Sequence, residues 1–416
     1  MADTAAGLRA LALLRRNRRL GRLAVAVLVS SAGDPLSLTV SLVLLYAATR
    51  SPLSIAGAYA AQMLAVLTVG LPLAALADHA DRRRLVVRLE LARCGLVASL
   101  PLLTRASVLG LYPALYLLGL IEALVTPARQ AAVPRLVAGG EVGQANAVLL
   151  GAMTLGQALG FAAAGAALAH LADPRWLYLV DAATFAAAAL LVATLGHLGG
   201  GVRATRLRGG FARAWAIRAA RPLLLVAGAV VFFVGMLNPS LLPLAYALSP
   251  RHGPSLYTAL EVGLIAGLFV GSAVAGQVTA RRRRPALAGS ILLFGTAVLA
   301  VALSPTTAVA AVAIALSGVG NAVYSVTNQT ALLEASQQRV HGTVMAARFA
   351  AAQAGKALGL GTGAVVTARL GARGGFAVIG AGLLMVAAAY TLSLLRSGAL
   401  VADRDAAQQP ADPPAT

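Results

Sequence analysis

Long apolar stretches, broken at intervals by short arginine-rich loops, fill almost the whole chain. A helix crossing the hydrocarbon core of a bilayer needs about 20 mostly apolar residues. The pattern predicts twelve such spans, over residues 23–48, 53–77, 85–103, 107–132, 145–169, 176–196, 222–247, 255–279, 286–303, 307–331, 342–368 and 374–395. Span 4 must stay helical through Pro113 and Pro127 for this to hold. The longest polar connection, His197 to Arg221, separates spans 6 and 7. The expected organisation is a six-helix bundle over 1–200, a linker over 201–221, a second six-helix bundle over 222–396 and a disordered polar tail over 397–416.

Loop arginines set the orientation, because cytoplasmic loops retain positive charge. With the N-terminus in the cytoplasm, inside segments hold 25 arginines and outside segments 6, in strict alternation; a missed span would scramble the order. Arg15, Arg16, Arg18 and Arg19 precede an apolar run too long for a cleaved signal, so span 1 reads as a retained helix. The expectation is a multi-pass protein of the cell membrane with both termini cytoplasmic. The chain also repeats. A shift of 199 residues lays Arg82, Arg83 and Arg84 on Arg281, Arg282 and Arg283, Gln130 on Gln329, and 143–160 on 342–359, with Gly156 and Gly160 falling on Gly355 and Gly359. Two halves of like orientation are related by an axis along the membrane normal, with a midplane site between them.

Composition changes the picture by exclusion. Hydrophobic residues make up 59% of the chain and charged residues 12%, half the usual share for a soluble domain. Too few charges remain to cover a water-facing surface. The net charge of +20 raises nucleic acid as a partner, but the arginines come in short bursts and aromatics are only 5%. Nucleic-acid binding is set aside. One cysteine, Cys94, allows no internal disulfide and no cysteine metal cluster. Histidine, serine and acid residues form no catalytic set, and GLPLAALAD (70–78) leads to no nucleotide-binding Gly-Lys-Ser/Thr. The chain is expected to be no enzyme, to need no cofactor or metal, to act as a monomer, and to draw on a proton gradient. Its expected partners are the lipid bilayer and a small amphipathic substrate.

The sharpest local motif is ALADHADRRRL (75–85), between spans 2 and 3. It resembles the loop signature of the major facilitator superfamily, Gly-x-x-x-Asp-(Arg/Lys)-x-Gly-(Arg/Lys)-(Arg/Lys). Asp78 matches the Asp, and Arg82 and Arg83 match the basic pair; Ala74, His79 and Asp81 depart from it. Asp81, together with TPARQAAVPRLVAGGEVGQANAV (126–148), resembles the branch of enterobactin exporters and macrolide efflux pumps, although Arg135 stands where an acidic residue is expected. The resemblance implies an all-α integral membrane fold, two six-helix bundles related by a pseudo-twofold axis. It also implies a cytoplasmic gate of Asp78, Asp81, Arg82, Arg83 and Gly342. A carboxylate at 78 can meet the unpaired N–H groups at the start of span 11. The plainer reading of the arginines alone is the positive-inside rule.

Ionisable groups inside a membrane are costly and mark pathways. Asp34 lies about 12 residues, or about 18 Å, into span 1. Glu122, Asn238, Asn321 and Lys356 fall at similar depths in spans 4, 7, 10 and 11. The resemblance implies that spans 1, 4, 7 and 10 line the cavity, which makes Asp34, Glu122, Asn238, Asn321 and Lys356 the candidate substrate-cavity residues. Proton coupling falls first to Glu122, then Asp34, then Glu261 on span 8. Pro35 frees a backbone carbonyl beside Asp34. Lys356 is the only lysine against 33 arginines, and an ammonium can give up its proton where a guanidinium cannot. It is either the counter-charge of Asp34 or Glu122, or a binder of an anionic substrate group, or a structural ion pair. Glu90, Arg93 and Arg348 read as gating or snorkelling residues near the inner face, and Asp181 as interfacial.

Glycines four apart, Gly156 and Gly160, Gly263, Gly267 and Gly271, and Gly355, Gly359 and Gly363, allow close helix approach. In the superfamily spans 2, 5, 8 and 11 form the moving interface; plain packing is the alternative. Drug antiporters carry Gly-Pro on span 5, where this chain has Gly156-Gln157. The expected function is a proton-coupled antiporter exporting small amphipathic molecules or drugs. The alternative is a siderophore or lysolipid-like exporter, since Gly33-Asp34 resembles a pair in lysophospholipid flippases. A rival of another class is a non-transporting membrane scaffold or sensor.

Overall fold

The computed structural model describes residues 13–66, 68, 81–196, 215, 217, 220–336 and 340–396. Among them every regular element is helical: α1 (Arg18–Thr49), α2 (Pro52–Ala65), α3 (Arg82–Ala106), α4 (Leu111–Leu136), α5 (Val142–His170), α6 (Trp176–Ala193), α7 (Arg221–Leu248), α8 (Gly253–Gly276), α9 (Arg283–Leu303), α10 (Thr307–Glu334) and α11 (His341–Arg396). The expected all-α membrane fold is present. Nine helices among the described residues are long and apolar enough to cross a membrane. α2 is described over 14 residues only, and α3 carries Arg82, Arg83, Arg84, Arg88, Glu90 and Arg93 in its first half. Spans 11 and 12 run as one 56-residue element broken at Gly371, whose φ of 73° glycine adopts readily. Twelve is thus the count of the sequence pattern, and nine the count that length and composition support among these helices.

Local chemistry starts the helices where the sequence placed polar residues. Asn17 accepts from Leu20 N at 3.0 Å, Ser51 from Leu53 N at 3.2 Å, and Thr306 from Val309 N at 3.3 Å. Each satisfies an N–H that the helix leaves orphaned. α4 does continue through Pro127 and Pro134. Pro113 falls in its first turn, where a missing N–H has no helical partner to lose.

The chain divides into two compact units. Unit 1 holds Met1–Arg206, Asn238–Val262 and Thr367–Ala372, and unit 2 holds Leu207–Leu237, Gly263–Val366 and Arg373–Thr416. In unit 1, α1 packs on α5 and α6, and α3 packs on α4 and α6. The ends of α7 and α8 around Arg251 also belong to it, with the Tyr246 ring 5.4 Å from Tyr46 and the Tyr257 ring 6.3 Å from Phe161. The linker over 201–221 lies almost wholly outside the described residues, and the tail over 397–416 wholly so.

Glycine decides which helices touch. A Cβ on Gly156 or Gly160 of α5 would collide with the carbonyl oxygen of Leu28 or Ala32 of α1. Their repeat partners, Gly355 and Gly359 of α11, stand against the carbonyl oxygens of Gly228 and Phe232 of α7. Likewise Gly119 of α4 abuts Gln62 of α2, and Gly318 of α10 abuts Leu264 of α8. The sequence repeat therefore recurs as equivalent helix pairs meeting at equivalent glycines. Gly267 and Gly271 face α10, and Gly363 faces Met236 of α7, so these glycines form packing seams inside unit 2.

Candidate functional site

Four helices of unit 1 build a stack of layers. The lowest is apolar: Leu23 and Val27 of α1, Val86 of α3, Ala132 and Val133 of α4, Ala188 and Val192 of α6. One turn along, Glu90 of α3 pairs with Arg129 of α4, which also donates to Ser30 Oγ of α1 at 3.3 Å. Both members of that pair are buried. The next layer centres on Arg93, a turn beyond Glu90. It gives one Nη to Asp34 of α1, and the other lies 3.0 Å from Glu122 Oε2 of α4. Its guanidinium carbon sits 4.0 Å from the ring centroid of Phe185 on α6, a cation–π contact. The top layer holds Asp181 of α6, which accepts from Ser37 Oγ of α1 and from its own helix's Thr184 Oγ1. Above it Ser41 Oγ meets Tyr178 OH at 2.9 Å.

Exposure divides the labour within this cluster. Arg93 is 4% exposed, whereas the side chains of Asp34 and Glu122 keep 38% and 43%. A buried cation thus holds two carboxylates that line accessible space. Four carboxyl groups (Asp34, Glu90, Glu122, Asp181) face two guanidiniums (Arg93, Arg129). The set has room for positive charge, whether a proton or the cationic head of a ligand, because an uncompensated charge away from water is costly.

The sequence puts Asp34 and Glu122 at similar depths and gives Lys356, as one of three alternative roles, that of counter-charge to either. In unit 1 that part falls to Arg93. Lys356 lies in unit 2, its main chain against Gly235 of α7, and the described ion pair of that unit joins Arg283 to Glu334. Asn238 belongs to unit 1 and Asn321 to unit 2, both half-buried. Asn321 is also the repeat equivalent of Glu122. Glu261 of α8 lies one turn from Tyr257 and neighbours Tyr59 of α2. Of the expected gate, Asp78 lies outside the described residues. Asp81 caps α3 by accepting from Arg83 N at 3.0 Å and Arg84 N at 3.3 Å. Arg82 is buried, and Arg83 donates to Ala193 O at the end of α6 at 3.2 Å. Gly342 opens α11 with space around its Cα.

Three readings need correction. Glu90 and Arg93 are interior members of the cluster and not snorkelling groups, since their partners Arg129, Asp34 and Glu122 lie inside the bundle. Asp181 is 1% exposed, held from the interface by Ser37 and Thr184. Arg348 turns inward to Asn328 Oδ1 at 3.0 Å and Ser325 at 3.3 Å. Arg129 of α4 joins the cluster as the partner of Glu90. The available signal was spacing: Glu90 and Arg93 are one turn apart, as helix-face neighbours are.

Solved transporters share this fold. The nucleoside transporter NupG aligns with a TM-score of 0.69 at 10% identity, over 90% of this chain and 98% of its own. A bacterial homologue of the iron transporter ferroportin, in an inward-facing state, gives 0.70 at 17% identity over 90% and 98%. A bacterial homologue of the human lysosomal transporter Spinster gives 0.68 at 16% identity over 94% and 99%. At such identities the likeness concerns the fold. No curated protein matches the chain. The sequence profile of the Major Facilitator Superfamily matches residues 23–360 and again 223–413, the second match opening in α7 as the first opens in α1. With its helices paired twice over at equivalent glycines, the chain belongs to the Major Facilitator Superfamily.

Proposed function

We propose that this transporter is a proton-coupled antiporter that exports small amphipathic molecules with a cationic head by alternating access. The observation that carries the reading is the Arg93 layer: two accessible carboxylates, Asp34 and Glu122, share one buried guanidinium. Such a pair has one negative charge to spare. A proton and a substrate cation compete for it, and competition for one charge is what couples two fluxes in opposite directions. Arg93 keeps the carboxylates apart and oriented in either case. This reading takes the protein to sit in the cell membrane with both termini in the cytoplasm, as the loop arginines imply, and the lower apolar layer then faces inward.

The test is flux of a cationic amphipath in proteoliposomes, with and without a pH gradient. Uptake that follows the gradient, and that Glu122→Gln and Asp34→Asn each reduce about tenfold or more, supports the reading. Flux indifferent to the gradient removes proton coupling. A second reading, export of an anionic siderophore or lysolipid-like metabolite, draws on Lys356. It predicts that Lys356→Ala abolishes flux of an anionic amphipath while the cation is untouched. Absence of flux for either class favours a scaffold or sensor.

A further inference from the structure

We propose that Asp181 is a second proton-carrying carboxyl of the cluster, and that Arg93 is the cation for which Asp34 and Asp181 compete. The use of that proton in transport rests on the coupling reading above; its presence on Asp181 does not.

Asp181 is the carboxyl of this cluster that is met by hydroxyls alone. Ser37 Oγ donates to Oδ2 and Thr184 Oγ1 lies 3.2 Å from Oδ1. No ion pair to it occurs among the described residues, and it is 1% exposed. α1 comes so close that a Cβ on Gly33 would collide with both Asp181 Oδ1 and Thr184 Oγ1. A side chain at 33 would push those two oxygens aside, so Gly33 leaves Asp181 its place beside the turn that carries Asp34. A bare carboxylate in such surroundings is costly, and a proton removes the cost. The charged groups that act on it are Asp34 of α1 and Arg93 of α3; Glu90 of α3 and Glu122 and Arg129 of α4 lie around Asp34. Arg93 stacks on Phe185, one turn along α6 from Asp181, so the guanidinium already lies between the two acids' helices.

The exchange balances. The O–H bond at Asp181 breaks, an O–H bond forms at Asp34, and one proton moves. Arg93 stays protonated throughout, and its ion pair passes from Asp34 to Asp181. The small motion of one guanidinium would then report on which face of the cluster holds the proton.

The test has a readout independent of transport. Infrared spectra of the purified full chain in lipid at neutral pH should contain a protonated-carboxyl C=O stretch. Asp181→Asn should abolish that band, and Ser37→Ala should shift it by removing a hydrogen bond. In proteoliposomes Asp181→Asn should lower gradient-driven flux about tenfold or more. Absence of the band, or its survival in Asp181→Asn, overturns the proposal. If Asp181→Asn does not fold, an unshifted band in Ser37→Ala overturns it equally. A band lost in Asp181→Asn, in a protein whose flux ignores the pH gradient, would leave the proton on Asp181 and sink the coupling.

Discussion

At the scale of residues, the Glu90–Arg129 pair separates structure from transport. Both members are buried, so removing one strands the other. Arg129→Ala should cost about 3–5 kcal/mol, read as a large drop in melting temperature in detergent. The double change Glu90→Leu with Arg129→Leu should recover most of that loss, because an apolar pair leaves no buried charge behind. A double variant as unstable as the single one would mean that the pair does more than neutralise itself. Arg93→Lys tests a different property. A guanidinium reaches two carboxylates with its two Nη atoms, and an ammonium is a point charge. The variant should fold yet lose gradient-driven flux, with Asp34 and Glu122 no longer held together; full flux would show that the fork is dispensable. These residues also mark what the sequence could carry. Depth follows from counting along a helix, so Asp34 and Glu122 could be set at like depth, and both meet Arg93. Partnership depends on which helices are neighbours, and α3 packing on α4 and α6, with Arg93 reaching across to α1, is a fact of packing. That is why the sequence offers the role of counter-charge to Lys356, among its other roles, and not to Arg93.

Among elements, the glycine seams give a test with a built-in control. Gly359 and Gly361 lie two residues apart on α11, but a Cβ at 359 would collide with Phe232 O and one at 361 would meet nothing. Gly359→Ala should destabilise by about 1–3 kcal/mol. Gly361→Ala should be neutral or stabilise by up to about 1 kcal/mol, as expected for Gly→Ala within a helix. Equal melting temperatures for the two would show that the seam is loose. The turn between α5 and α6 adds a pH effect. Asp173 accepts from Arg175 N at 3.0 Å and lies 3.6 Å from Arg105 Nη2. That backbone bond first, and the charges after it, hold its carboxyl below the usual carboxylate range. A lowered folded value stabilises above the unfolded value of about 3.9 and is lost as pH falls through the folded one. The stability gap between wild type and Asp173→Ala should thus be present at neutral pH and close in acid. It should be small, because the group sits half-buried in a surface turn where water screens its charges. Helix positions were legible because apolar length is a one-dimensional signal. The break at Gly371 was visible only as a short gap between spans, since φ is not written in hydrophobicity.

The whole molecule is a repeat whose halves have diverged in charge. The same glycines pair the same helices in each, but Glu122 and Arg129 of the first half stand where Asn321 and Asn328 stand in the second. The acidic cluster belongs to one half, so a purely symmetric account of transport does not fit this chain. Orientation is the global property that decides which layers of unit 1 face the cytoplasm, and its expectation rests on loop arginines alone. It can be tested in cells on a Cys94→Ala background, which removes the single native thiol. Ser107, between α3 and α4, and Gly140, between α4 and α5, are both exposed. They flank one helix, so a membrane-impermeant thiol reagent must distinguish them if α4 crosses the bilayer. Ser107→Cys should label in intact cells, and Gly140→Cys only after permeabilisation. The reverse result would invert the protein and turn the lower apolar layer of unit 1 to the outside. Labelling of both in intact cells would mean that α4 does not span, and the alternation of arginines beyond it would need another cause. Because each later loop inherits its side from the ones before, this one helix tests the count and the orientation together.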